Sequence, residues 1–528
     1  MKQETAHSAP FLVTASEMRE LDRATIEDFG LPGLTLMENA ARGAVEVLAG
    51  LVPDLSQRKV AVFAGKGNNG GDGYVMARTL VNRGVAATVY LLARPSEIRG
   101  DAAVNLALLH KMDVPVRELP DLESFSAKIP EMDGHDVIVD AILGTGISTP
   151  VRGLFGRAVE YINSRNAFRF AVDVPSGLFS DTGEAPLCVK ADATATFGFA
   201  KIGCFQHPGA ERTGRLSVLD IGIPRFLTER NPPGAVLLTH SWASSILQQR
   251  KPDAHKGDTG HALVVAGSPG KTGAAALCAI SALRAGAGLV TLCGPVSLLP
   301  VFEGLVREAM TAPLAENLSC ALDIDALPAL QDLCRQKKAL AIGPGIGTED
   351  ETKSLVRAFV PLAECPLVID ADGLNCLAGE SEVLRRARAP LILTPHPGEM
   401  SRLTGLSTSD IQKDRVSVAR GFAVENGVIV VLKGAGTVIA SPDGRVAVNS
   451  TGNPGMAAGG MGDVLTGIIV GLAAQGYSPE AAARLGVFLH GLAADRLSES
   501  RGPFGYLAGE VAEELPSAFS DLISVHEN

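Results

Sequence analysis

Asp463 ends a run of small residues, NPGMAAGGMGD, and VLTGII follows at once. Gly459, Gly460 and Gly462 let backbone N–H groups turn toward an anion, and the helix begun by VLTGII adds its dipole to that attraction. A carboxylate here either caps the helix or deprotonates a hydroxyl that attacks a phosphoryl group. The neighbouring glycines favour the second use. Another glycine-rich turn, GKGNNGGDG at 65–73, follows the apolar run KVAVFA. Gly65, Gly67 and Gly70 formally match the GxGxxG dinucleotide fingerprint. That match is weak. The next strand ends in VYLLARP, with Arg94 where an acidic residue is expected, and Asp72 puts negative charge beside the pyrophosphate position.

Other strand ends carry a different assembly. Asp140 closes DVIVDA ahead of the loop GTGISTP (144–150), and Asp173 closes the strand of FAVDVPSG ahead of Ser176. Asn69, Asp140 and Ser176 are hard oxygen donors suited to one shared cation. The GTG loop and the NNGGD turn offer backbone N–H groups to phosphates. Each aspartate alone is more often a cap or turn former. Their recurrence after separate strands favours a site.

These side chains need a scaffold that ends its strands together. Short runs of continuous Val, Ile, Leu and Ala recur, each closed by Gly, Asp or Pro. They are VAVFAG, ATVYLLA, DVIVDAILG and FRFAVDVPSG, then HALVVAG, GLVTLCG, ALAIGPG, PLVIDADG, PLILTPHPG and VIVVLKG. Such runs read as buried parallel strands alternating with helices, an α/β architecture. At 528 residues the chain is too long for one core. The Pro-rich stretch GIPRFLTERNPPGAVLL is the best linker and puts a boundary near residue 225, giving domains 1–225 and 226–528. Their motifs differ, so two dissimilar domains are expected rather than a duplication.

KGNNGGDG, DAILGTG and DVPSG together resemble the epimerase domain of the bifunctional NAD(P)H-hydrate repair enzymes, over residues 11–225. The resemblance implies a Rossmann-like three-layer fold that binds hydrated NADH or NADPH. It implies a potassium ion on Asn69, Asp140 and Ser176. Substrate contacts would come from Asn68, Asn69, Gly70, Gly71 and Asp72, from Gly144, Thr145, Gly146, Ile147, Ser148, Thr149 and Pro150, and from Asp173. Asp173 is the expected proton-transfer residue, because epimerisation at ring carbon 6 needs a positioned acid or base whether the ring opens or the hydroxyl leaves.

The segment around Asp463 is similar to the ribokinase-like superfamily. HKGDTGHALVVAGSPGKTGAA, GPGIG, DADGLN, TPHPGEM and KGAGT narrow the likeness to its ADP-dependent NAD(P)H-hydrate dehydratases, over residues 226 to about 519. By that likeness Lys433, Gly434, Ala435, Gly436, Thr437 and Gly462 cradle the nucleotide. Ala274, Gly345 or Gly347, His396 and Asp463 line the hydrate pocket, and Mg²⁺ bridges the ADP phosphates. A histidine between two prolines is otherwise read as capping a neighbour. Asp370 and Asp372 read as strand-end or metal-adjacent residues.

The composition excludes other classes. Net charge is −11 without a long basic block, which argues against nucleic acid. The eight cysteines show no CxxC pair, so reduced core thiols are expected. MKQETAHSAPF lacks an apolar signal core, and VLTGIIVGLAA is too short to span a bilayer, so a cytoplasmic protein without a membrane partner is expected. Domains of this class commonly self-associate, which makes a homo-oligomer the expectation. Two rival readings stand beside the repair enzyme. One is a small-alcohol kinase fused to a regulatory domain. The other is an N-terminal half that senses nucleotides without catalysis.

Overall fold

The computed structural model describes residues 10–524, and the chain divides into two compact units at Ala235–Val236. The segment MKQETAHSA, read above for a signal, lies outside the described residues.

In the N-terminal unit the apolar runs become strands of a seven-stranded sheet, parallel throughout. Its spatial order is Val116–Glu118, Ala86–Leu91, Lys59–Ala64, Val137–Ala141, Phe168–Val172, Ala193–Phe197 and Arg215–Leu219. The first strand in sequence lies inside the sheet. The chain winds outward from it in one direction, then returns and winds outward in the other. This doubly wound order opens a crevice at the carboxyl ends of Lys59–Ala64 and Val137–Ala141, the usual ligand position of such sheets. Helices Gly33–Leu51, Asn68–Asn82 and Gly100–Lys111 bury their apolar stripes with one face of the sheet. Helices Leu122–Met132 and Gly153–Ser164 close the other face over Phe63 and Tyr90. A short parallel pairing of Leu12 with Ala200 and Val13 with Lys201 fixes the backbone around Lys201.

In the C-terminal unit, parallel strands run in the order Met310–Leu314, Leu289–Pro295, His261–Val265, Ala339–Ile342, Leu367–Ile369, Leu391–Leu393 and Ile429–Leu432. Val438–Ala440 and Val446–Asn449 extend the sheet antiparallel. Helices Thr272–Arg284, Met461–Ala474 and Ala508–Ser524 share the largest apolar core. The glycines of VLTGIIVGLAA set the approach of the first two. A Cβ on Gly467 would overlap the Cys278 carbonyl, and one on Gly471 would come within 2.6 Å of the Ala282 carbonyl. The helix that carries Asp463 is therefore seated against its neighbour with little room to shift. A layered α/β unit of this kind fits the ribokinase-like expectation.

All eight cysteines are free, five of them buried. No described helix is long and apolar enough to cross a membrane.

Candidate active sites

The N-terminal site starts where Lys59–Ala64 ends. A Cβ on Gly65 would overlap the Ile142 carbonyl oxygen, and one on Gly70 would overlap the Gly65 carbonyl oxygen. Both glycines are there for close backbone packing, which brings the turn and the start of the 144–150 loop together. Helix Asn68–Asn82 begins directly after Gly67 with no side-chain cap. The first-turn N–H groups of Asn68, Asn69 and Gly70 are left open to an anion.

Beneath this turn, Asp140 and Ser176 form a closed buried pair, both 0% exposed. The Ser176 hydroxyl donates to Asp140 Oδ1 at 2.6 Å, and the Ser176 N–H donates to Oδ2 at 2.7 Å. The Leu143 N–H donates to the Ser176 hydroxyl oxygen at 2.9 Å. Burial pushes the Asp140 carboxyl up to about 6, against the pull of the Ser176 and Ile142 donors. Asn69 is buried as well, and neither its amide oxygen nor its amide nitrogen has a partner. A Cβ on Gly144 would stand 3.5 Å from Asn69 Cβ and 3.6 Å from Asp173 Oδ2.

A cavity of about 500 Å³ lies above these groups. Of the expected contacts, Asn68, Asn69, Asp72, Gly144, Thr145, Gly146 and Asp173 line it. Gly70 and Gly71 do not. They pack against Gly65 and Met37 respectively. Ile147, Ser148, Thr149 and Pro150 continue the loop outside the lining, and Asp140 and Ser176 lie below it. Asp173 sits at φ +66°, a left-handed conformation that strains most residues with a side chain. Its Oδ1 accepts from Lys201 Nζ at 2.5 Å and from Thr196 Oγ1 at 3.3 Å. Asp22, from helix Ala15–Arg23, lines the same cavity. Its burial raises its carboxyl to about 6. Asp72, more deeply buried, is raised well above the carboxylate range by desolvation and by Asp173 and Asp22.

Lys201 and Asp22 were not found by sequence reasoning. The only trace of Lys201 is a lone cation among apolar residues in FGFAKIG, and Asp22 looks like any charge on an amphipathic helix.

In the C-terminal unit Asp463 stands in the first turn of Met461–Ala474, behind Gly460 in a left-handed conformation. Burial raises its carboxyl to about 6, with Asp370 adding to the rise and Lys433 opposing it. Asp370, only 1% exposed, is fully engaged. Lys433 Nζ donates to its Oδ1 at 2.7 Å and Thr466 Oγ1 to its Oδ2 at 2.8 Å. Burial works against charge on Lys433, but Asp370, Glu399 and Asp463 outweigh it and leave its pKa raised. Gly462 adjoins both partners, since a Cβ there would lie 3.3 Å from Lys433 Nζ.

The other predicted residues reach this centre through short links. Gly345 packs on Lys271 and Ala274. The Gly347 N–H and Lys271 Nζ both donate to Asp372 Oδ2, at 3.0 and 2.8 Å. His396 is a helix cap. Its Nδ1 accepts from the Gly398 N–H at 2.9 Å while Glu399 Oε2 accepts from the His396 N–H at 2.7 Å. Half of the ring stays exposed, and Glu399 reaches to 3.7 Å from Lys433. The same histidine thus caps its helix through Nδ1 and sets Nε2 3.4 Å from Glu399 Oε1. In the 433–437 turn, Gly434 and Gly436 have positive φ, and the Thr437 hydroxyl donates to the Gly434 carbonyl at 2.8 Å. Buried Arg415 donates to the Leu432 carbonyl at 2.9 Å and braces the turn from behind. Sequence reasoning missed Arg415, Lys271 and Glu399. The H-P-G-E spacing of a capping box was the available signal for Glu399.

These geometries define an acid–base enzyme with two centres, one a cavity at a sheet switch point and the other a glycine-framed anion site beside a half-buried carboxyl. A family model described as NAD(P)H-hydrate dehydratase matches residues 262–517, and one described as YjeF-related protein N-terminus matches residues 33–203. The bifunctional NAD(P)H-hydrate repair enzyme Nnr of Moorella thermoacetica is 45% identical over 514 residues, 97% of each chain. The Nnr of Thermofilum pendens is 41% identical over 508 residues, 96% of each chain. A crystal structure of the ADP/ATP-dependent NAD(P)H-hydrate dehydratase of Bacillus subtilis, co-crystallised with ATP and Mg²⁺, is 33% identical; the match covers 54% of this chain and 97% of that one, with a TM-score of 0.48. The chain belongs to the bifunctional NAD(P)H-hydrate repair enzyme family.

Proposed function

We propose that this chain repairs hydrated NADH and NADPH, the N-terminal unit interconverting the R and S hydrates and the C-terminal unit dehydrating the S hydrate with ADP. AMP and phosphate are the by-products. The observation that carries this reading is identity of 45% over 97% of both chains to an enzyme named for that repair. Two separate acid–base centres, as two reactions require, support it.

In the N-terminal cavity the open N–H groups of Asn68, Asn69 and Gly70 receive phosphate oxygens of the substrate. Asp173 moves the proton at ring carbon 6. The donor set below the turn fits a hard monovalent cation: the unpartnered amide of Asn69, the desolvated carboxylate of Asp140 and the hydroxyl of Ser176. Potassium held by these three residues would supply positive charge under the turn.

In the C-terminal unit Lys433 to Thr437 and Gly462 take the nucleotide, and Ala274, Gly345, Gly347 and His396 face the hydrate. Asp463 accepts the proton of the C6 hydroxyl as its oxygen attacks the terminal phosphoryl group of ADP. The bond to AMP breaks. Phosphate then leaves carbon 6 with loss of a neighbouring proton, which restores the dihydropyridine ring. Mg²⁺ would enter with the nucleotide and would neutralise its phosphates. The enzyme acts in the cytoplasm as a homo-oligomer, as its class suggests, and gel filtration with light scattering tests the assembly.

The deciding experiment follows recovery of NADH near-ultraviolet absorbance from mixed hydrate epimers, with potassium, Mg²⁺ and either ADP or ATP. Full recovery with ADP is expected. Recovery that stops after the S epimer refutes the epimerase half. A stable phosphorylated product without recovered absorbance refutes the dehydratase half in favour of a kinase.

A further inference from the structure

The charges on the floor of the N-terminal cavity do not balance. Asp22, Asp72 and Asp173 share it with Lys201. Lys201 is committed: its side chain is 1% exposed, and its Nζ donates to Asp173 Oδ1 at 2.5 Å and to both Thr196 Oγ1 and the Phe197 carbonyl at 3.0 Å. The other cations lining the cavity, Arg19 and Lys66, are exposed at its rim, with Lys66 3.9 Å from Glu97. Asp101 is half-buried in the wall. Asp72 is buried and Asp22 and Asp173 are partly buried, so three carboxyl groups face a single buried cation.

Ring carbon 6 of the hydrate bears both a hydroxyl and the ring nitrogen, and inversion there has two routes. In ring opening the C6–N bond breaks to give an aldehyde and an uncharged amine. In hydroxyl departure the C6–O bond breaks, the nitrogen lone pair forms a C=N bond, and the ring becomes a cation. An anionic floor stabilises a developing cation and contributes nothing comparable to a neutral aldehyde.

We propose that the N-terminal unit inverts C6 by hydroxyl departure through a ring cation, with Asp72 as the acid, Asp173 as the base, Lys201 positioning Asp173 and Asp22 completing the anionic floor. This rests on the epimerase reading above. The proton of Asp72 passes to the C6 hydroxyl, and the C–O electron pair leaves with oxygen as water. Water then adds to the opposite face of C6, and the C=N pair returns to nitrogen. The proton lost by the adding water passes through cavity water to Asp173, and from Asp173 through solvent to Asp72, which restores both groups. The directions of titration agree: Asp72 holds its proton far above the ordinary carboxylate range, and Asp22, raised to about 6, remains largely ionised at neutral pH. The floor gains a negative charge beside the developing ring cation as Asp72 gives up its proton.

The test uses the full chain, the resolved S hydrate of NADH and heavy-oxygen water, with potassium and without ADP or ATP. Chromatography follows the epimers and mass spectrometry follows the oxygen. The R product is expected to carry solvent oxygen from the first turnover. R product that keeps its original oxygen overturns the proposal, and so does an oxime that accumulates when hydroxylamine is present. Absence of enzyme-dependent inversion overturns the epimerase reading and the proposal with it, whereas label retention leaves that reading standing. Asp72→Asn, nearly isosteric, is expected to lower kcat roughly 100-fold or more with KM within about threefold. Inversion at the wild-type rate removes Asp72 from its role. Lys201→Met is expected to lower kcat and move the acid limb of the rate profile to higher pH, because Asp22 and Asp72 lose the cation that lowers them. A profile left in place overturns the positioning role.

Discussion

Replacing Asp463 by asparagine should end dehydration and, at neutral pH, make the C-terminal unit more stable. A carboxyl that ionises near 6 in the fold rather than near 3.8 is penalised by burial. Above both values that penalty is at most about 3 kcal/mol. An anion in the first turn regains roughly 0.3–1 kcal/mol from the helix N-terminus, so asparagine should gain about 2 kcal/mol. For a unit of this size that is a rise of about 4 °C in Tm. The native-state pKa is the higher one, so the wild-type fold takes up the proton between about pH 6 and 4. Its ionisation penalty is present above that window and disappears below it, and the advantage of asparagine should fade in step. The single tryptophan, buried Trp242, lies in this unit, so its fluorescence follows the right transition. An Asp463→Asn protein that melts below wild type at pH 7.5, or whose advantage is the same at pH 7.5 and 4.5, would refute the reasoning.

Dehydratase kcat/KM should rise with pH through about 6 as Asp463 ionises, and a flat profile from pH 5 to 8 would remove it as the base. Lys433→Ala strands Asp370, 1% exposed, without its cation, and should cost about 3–5 kcal/mol in denaturant titrations read by Trp242 fluorescence. Asp173→Asn should leave the S hydrate repairable while absorbance recovery from a mixed pool halts at the S fraction. Ser176→Ala should remove potassium stimulation of epimerisation, and full retention of the response would move the cation elsewhere.

The strands that sequence reasoning found are those buried on both faces, where Val, Ile, Leu and Ala run without interruption, as in Val137–Ala141 and Ile429–Leu432. Several of those it missed lack that signature. Ala193–Phe197 alternates Ala with Thr194 and Thr196, whose hydroxyls find local acceptors or partners. Arg215–Leu219 sits at a sheet edge and is half exposed. Val116–Glu118 has three residues, too few to show a period. Among candidate site residues, Asn69, Asp140, Asp173 and Ser176 drew notice because each lies at a strand's carboxyl end or in the turn after it. Lys201 and Asp22 did not, since their proximity to Asp173 arises from sheet order and from the pairing of Phe11–Val13 with Ala200–Lys201. Asp370 was legible as a strand end but not as the partner of Lys433, 63 residues further on.

Asp173 holds a left-handed backbone that glycine would adopt without strain, and Asp463 holds a charge that asparagine would not have to desolvate. At Asp463 the gentlest substitution for folding deletes the chemistry, whereas glycine at 173 would leave buried Lys201 without its carboxylate. A laboratory population bred for heat resistance, with no check on turnover, has an easy path to asparagine at 463. Its survivors would be sturdier, well folded and inert. Stabilising this enzyme by evolution therefore requires hydrate turnover as a co-selected trait from the first round.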